Sequence, residues 1–151
     1  MQTAEQSPSA MPMSRKVLCG VYGAIALAAL AATWSQNVAY AGKPAGFLVN
    51  FVKDTTVTAA SRSITADILM FALAATILMV IEARKYHIRF IWAYILGSAL
   101  IAVSVSFPLF LIARELRLGA TESPRLHAVD TILLGLFAIL TVALTVWVDL
   151  R

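Results

Sequence analysis

The chain has 151 residues, of which 60% are hydrophobic and only 13% charged. A soluble domain carries about 25% charged residues, so this composition excludes an ordinary soluble fold and points to a bilayer. The formal net charge of +4 is no nucleic-acid footprint, because the basic residues stand in pairs and triples beside apolar runs, as membrane anchors do. A single cysteine, Cys19, excludes an internal disulfide framework and any CxxC metal or redox motif. Inside an apolar run it reads as a packing residue.

Residues 1–14 are polar, contain Pro8 and Pro12, and read as a disordered tail. Arg15 and Lys16 then precede an uncharged run of 26 residues, Val17 to Gly42. That exceeds the length of about 20 residues needed to span and predicts a helix over 17–38. Ala39, Tyr40 and Ala41 fit a signal-cleavage pattern, but the run is longer than a usual signal core. Trp34 to Tyr40 also reads as an aromatic interfacial anchor, which favours an uncleaved helix over a cleaved signal. Gly20, Ala24, Ala28 and Ala32 form a small-residue stripe suited to close helix packing. Residues 45–53, with Phe47, Leu48, Phe51 and Val52 around Asn50 and Lys53, predict a short helix lying in the interface.

Ser63 is a plausible cap for a second helix over 64–84. Only 14 uncharged residues separate Asp67 from Glu82. At about 1.5 Å per residue they cover about 21 Å, less than the core thickness of about 30 Å. One or both carboxylates are therefore drawn to the hydrocarbon edge. Asp67, Phe71, Ala74, Leu78 and Glu82 fall on roughly one face. A short loop with Arg84, Lys85, His87 and Arg89 leads into the 24 uncharged residues from Phe90 to Ala113, predicting a third helix over 89–113. Pro108 lacks an N–H and presses on the carbonyl of Ser104, so a kink is expected there. A polar loop precedes the fourth helix, over 129–149, built on the 18 uncharged residues Thr131 to Val148. It has no evident chemistry beyond packing.

The expected fold is all-α: an integral membrane four-helix bundle over residues 15–151, with a short interfacial helix between spans one and two. Four crossings put Arg15, Lys16, Arg84, Lys85, Arg89 and Arg151 on one side and Lys43, Lys53, Arg62, Arg114, Arg117 and Arg125 on the other, six against six. The first group is packed against span ends and in a very short loop, where positive-inside bias acts most strongly. Both termini are therefore expected in the cytoplasm, and the chain in the inner cell membrane.

Trp34-x-x-Asn37, Asp67-Ile-Leu, Glu82-Ala-Arg, Trp92-x-Tyr94 and Pro108-Leu-Phe-Leu-x-x-Arg114-Glu115 together resemble small bacterial membrane proteins grouped as domain of unknown function 2834. The resemblance covers about Val17 to Arg117, and its most specific part is the closing PLFLxxRE. It implies a multi-span membrane protein, strengthens the choice of Asp67, Glu82, Arg114 and Glu115, and brings no mechanism.

In the four-span arrangement one polar cluster gathers at the outer mouth: Trp34, Asn37 and Tyr40 ending helix one, Asp67 starting helix two, Arg114 and Glu115 ending helix three, and Asp130 starting helix four. Asp67 is expected to pair with Arg114. The bland alternative is that Asp67 and Asp130 at helix starts, and Arg114 and Arg117 at a helix end, simply follow the helix dipole. Glu82 and Glu115 resist it, because both are acids at C-terminal ends. Glu82 is a second candidate, with Lys85, Arg89 or Lys16 as its expected partner. His87 and His127 are expected on opposite sides, so no shared metal site is expected. No cofactor motif and no catalytic set is visible. The readings, in order, are a non-catalytic accessory or packing subunit of a membrane complex, a small proton- or solute-coupled transporter, and a lipid or isoprenoid binding protein or enzyme. The expected partners are the lipid bilayer and either another membrane protein or a second copy, with no nucleic acid.

Overall fold

The computed structural model describes residues 11–42, 46–119 and 126–150, and all regular structure among them is helical. The helices are α1 (Met13–Ala41), α2 (Phe47–Asp54), α3 (Ala59–Lys85), α4 (Ile91–Leu100), α5 (Val103–Leu118) and α6 (Ala128–Asp149). Three of them, α1, α3 and α6, are long and apolar enough to cross a membrane. α1 starts within the stretch expected as tail, while residues 1–10 of that tail fall outside the described residues. α2 occupies the expected interfacial segment. α3 starts earlier than Ser63 because Thr58 and Ser61 cap each other reciprocally: the Thr58 hydroxyl accepts from Ser61 N–H at 3.0 Å and Ser61 Oγ from Thr58 N–H at 3.0 Å.

The third apolar run departs from expectation. It is not one helix over 89–113 but two, α4 and α5, and the chain reverses between them. Ile101 (φ −108°, ψ −74°) ends α4, and Ala102 (φ −177°, ψ 146°) is extended. The Gly97 carbonyl accepts from both Ile101 N–H (2.8 Å) and Ala102 N–H (3.3 Å). β-branched Ile101 and Val103 flank the break, and such residues are weaker helix formers. Gly97 lets the arms meet: a Cβ there would lie 2.7 Å from Ser106 Oγ. Pro108, where the kink was expected, lies buried inside α5, and the break comes ahead of it.

α5 is the central element, packed against α1, α3 and α4. The apolar core comprises Met79, Ala83, Ile88, Ile91 and Phe110, with the Tyr94 ring edge-on to Phe110 at 5.8 Å. The tight turn from α3 to α4 holds His87 (φ 52°) and Phe90 (φ 59°) in the left-handed region and buries Ile88 between them. α6 lies along α1, and its side chains from Ala128 to Val148 are all exposed. At its end Asp149 accepts from Gln36 Nε2 at 3.2 Å and from Ser35 Oγ at 3.5 Å.

That last contact fixes the direction of α6. Its C-terminus stands beside Gln36, far along α1, so α1 and α6 run the same way. The first and last described residues therefore lie at opposite ends of the helix set, where four crossings would have brought them together. The physical reason is the α4–α5 hairpin, which returns the chain to the end it came from.

Candidate functional site: a closed charge network at the hairpin mouth

Arg15 lies in the first turn of α1, Glu82 in the last turn of α3, and Arg114 and Glu115 near the end of α5. Because α5 returns toward the end of α3, these helix ends meet. Arg15 donates through Nη1 to Glu115 Oε2, Arg114 through Nε to Glu82 Oε2, and Arg114 through Nη1 to Glu115 Oε1 at 3.0 Å. The result is a chain Arg15–Glu115–Arg114–Glu82 with two charges of each sign. Side-chain exposure is 5% for Arg15 and Glu115, 14% for Glu82 and 29% for Arg114. The Arg114 guanidinium also sits 5.3 Å from the Tyr86 ring centre, and Lys85 Nζ lies 5.1 Å from the same ring.

Acids at C-terminal helix ends oppose the dipole, and burial raises the cost further. Each acid here is offset by a guanidinium, whose planar fork bridges two carboxylates in a way an ammonium does not. No buried side-chain nitrogen or oxygen among the described residues lacks a hydrogen bond. The network is thus internally satisfied, and its evident work is to hold α1, α3 and α5 in one register.

The expected outer cluster is divided by this arrangement. Arg114 and Glu115 lie with Glu82 at the Arg15 end. Asp67 is exposed on α3 and stands about 22 Å from Glu82 along the axis, so the expected Asp67–Arg114 pair does not form. Asp67 makes no ion pair among the described residues. Trp34 and half-buried Asn37 belong to the far half of α1. Asp130 belongs to the start of α6, where it accepts from His127 N–H at 3.3 Å. The partner of Glu82 is Arg114, rather than Lys85, Arg89 or Lys16. His87 and His127 are at the same end, not opposite ones, and no group of three metal-binding side chains occurs among the described residues.

Arg15 is the member that sequence reasoning missed as a site residue; it reads there only as a topological anchor. The available signal was Glu115, an acid at a C-terminal helix end, where the dipole disfavours it. At the other end a cavity of about 440 Å³ is lined by Ala39, Tyr40, Gly42, Asn50, Lys53 and Asp54. There Tyr40 Oη donates to Asp54 Oδ2 at 2.8 Å, and the Tyr40 ring packs edge-on against Phe47 and Phe51.

The family model described as Protein of unknown function DUF2834 matches residues 21–116. That is more than half of the chain, which therefore belongs to this family. The match takes in α2 to α4 and most of α1 and α5, including Glu82, Arg114 and Glu115, and leaves out Arg15 and α6. No curated protein and no solved structure matches the chain.

Proposed function

From this family membership and the hairpin geometry we propose that the protein is a non-catalytic accessory or packing subunit of a membrane complex. In this reading α1, α3 and α6 cross the bilayer, and α4–α5 enters and leaves on one side. The observation that carries the proposal is the hairpin tip. From Glu115 back to Val103, α5 rises about 18 Å into a core about 30 Å thick. A helix end leaves its last carbonyls, and a helix start its first N–H groups, without intrahelical partners. Irregular backbone at such depth is tolerated only when protein or a wet cavity covers it. Yet Leu100, Ile101 and Ser104 at the tip are exposed, and α6 touches little besides α1. A surface of this kind is finished by another protein or by a second copy.

The orientation follows from charge. Seven described cations, Arg15, Lys16, Arg84, Lys85, Arg89, Arg114 and Arg117, fall at the Arg15 end, and two, Lys53 and Arg62, at the other. Positive-inside bias puts the first group in the cytoplasm. The N-terminal end of α1 then faces the cytoplasm and the end of α6 the opposite side. The transporter reading loses support, since Glu82 is held in the network and Asp67 lies outside it.

Two measurements test this. In a Cys19→Ala background, Leu126→Cys should label from the cytoplasmic side and Leu150→Cys from the opposite side. Four crossings with cytoplasmic termini predict the reverse, and that result would overturn the topology. Native mass spectrometry of gently extracted protein should show a fixed stoichiometry with a second protein or with further copies. A solitary chain that carries substrate-dependent proton flux in liposomes would overturn the accessory role.

A further inference from the structure

The structure concentrates cations at the Arg15 end and uses up the acids there. Glu82 and Glu115 are held by Arg114 and Arg15. Lys16, Arg84, Lys85, Arg89 and Arg117 are all exposed, and none of the five makes an ion pair among the described residues. Asp130 is the other described acid at this end, and it is engaged in the cap of α6. Among the described residues, five exposed cations against Asp130 leave a net charge of +4 on this end.

These cations are also gathered in space. Arg84, Lys85 and Arg89 flank the tight turn from α3 to α4, whose left-handed residues His87 and Phe90 keep the two helix ends close. Arg117, near the end of α5, falls at the same end of the helix set, because α5 packs against α3 and α4 and returns toward the end of α3. Lys16 follows Arg15, which is tied to Glu115 in α5. The chemistry that matches such a ring, at the level where helices enter the membrane, is the phosphate of an anionic phospholipid.

We infer that the ring of Lys16, Arg84, Lys85, Arg89 and Arg117 around the hairpin mouth is a binding surface for anionic phospholipid headgroups of the facing leaflet. The neutral network beneath sets its strength. Its two guanidiniums and two carboxylates sum to zero, so the charge presented to the surface is that of the outer five. The inference rests on the reading that this end meets a membrane surface, which labelling at Leu126 and Leu150 tests separately.

The full chain is reconstituted in nanodiscs of equal phosphatidylglycerol and phosphatidylcholine, extracted gently, and the retained lipids counted by native mass spectrometry. Phosphatidylglycerol should be retained several-fold over phosphatidylcholine, and the preference should shrink when sodium chloride is raised to about 0.5 M, since surface charge is screened. The double variant Arg84→Gln/Arg89→Gln should lose most of that several-fold preference, because each cation removed weakens the attraction to anionic headgroups. Lys53→Gln/Arg62→Gln, at the opposite end, should leave the preference intact. Thermal unfolding in detergent confirms that each exposed-site variant is folded. Retention at the mixing ratio, a salt-insensitive preference, or equal losses in the two double variants would overturn the inference.

Discussion

Breaking the charge network at Glu115 isolates its most buried pair. In Glu115→Gln the shape is kept, and Arg114 still has Glu82, but Arg15 loses its carboxylate. A pair of unit charges about 4 Å apart at an effective dielectric constant near 20 attracts by about 4 kcal/mol before desolvation. With both side chains only 5% exposed, little water is available to replace the lost partner. Removing one member of such a pair costs about 3–5 kcal/mol. Glu115→Gln and Arg15→Gln should therefore each destabilise the protein by about 3 kcal/mol. The double variant should fall short of the sum by at least about 1 kcal/mol, as directly coupled residues do. Arg114→Gln should cost less, about 1–2 kcal/mol, because Arg114 is 29% exposed and solvent screens its pairing. The assay is reversible unfolding in mixed micelles followed by circular dichroism. Additivity of Arg15→Gln with Glu115→Gln within about 0.5 kcal/mol would refute the reasoning.

Gly97→Ala places a methyl against Ser106 Oγ while gaining up to about 1 kcal/mol of helix propensity. It should be neutral or destabilising alone and stabilising in a Ser106→Ala background, read in the same unfolding assay. Asp67→Asn should change stability by less than about 0.5 kcal/mol, because Asp67 is exposed and unpaired among the described residues, and it should be additive with Arg114→Gln. Pro108→Ala should leave the reversal at Ile101–Ala102 in place, since that break precedes the proline; spin labels on α4 and α5 should report unchanged distances.

The helices themselves were legible, because unbroken apolar runs and flanking charges are strong signals. Their traverse was not. Nothing between Phe90 and Ala113 marks a reversal: the run is uncharged and of spanning length, and its one proline lies beyond the turn. The break depends on Gly97 meeting Ser106 across the hairpin, a tertiary contact with no periodic signature. Without that reversal the run places Arg114 and Glu115 at the opposite end, and the balanced count of six cations against six follows from the same placement. Glu82 and Glu115 stand out in the sequence as acids that the helix dipole disfavours, because that argument needs no topology. Naming their partners does need it.

The same ambiguity suggests what the network is for. A run of 24 uncharged residues is long enough to cross, so the sequence from Phe90 to Ala113 has two membrane solutions, a continuous span and a hairpin. Only the hairpin brings Arg114 and Glu115 to Arg15 and Glu82. A continuous span separates the four by the thickness of the bilayer and leaves Arg15 and Glu82 to find other partners. Ion pairs of this kind add little net stability over apolar residues of similar volume, yet they can select one arrangement among several. Substituting Met at all four positions should therefore leave the unfolding midpoint nearly unchanged while releasing the choice of topology. With Leu126→Cys as reporter and Cys19 replaced by Ala, the parent network should give labelling from one side of the membrane only. The four-Met variant should give labelling from both sides, as a fraction of chains cross with a continuous helix. One-sided labelling in that variant would show that Gly97 and the core around Phe110 hold the hairpin without the charges.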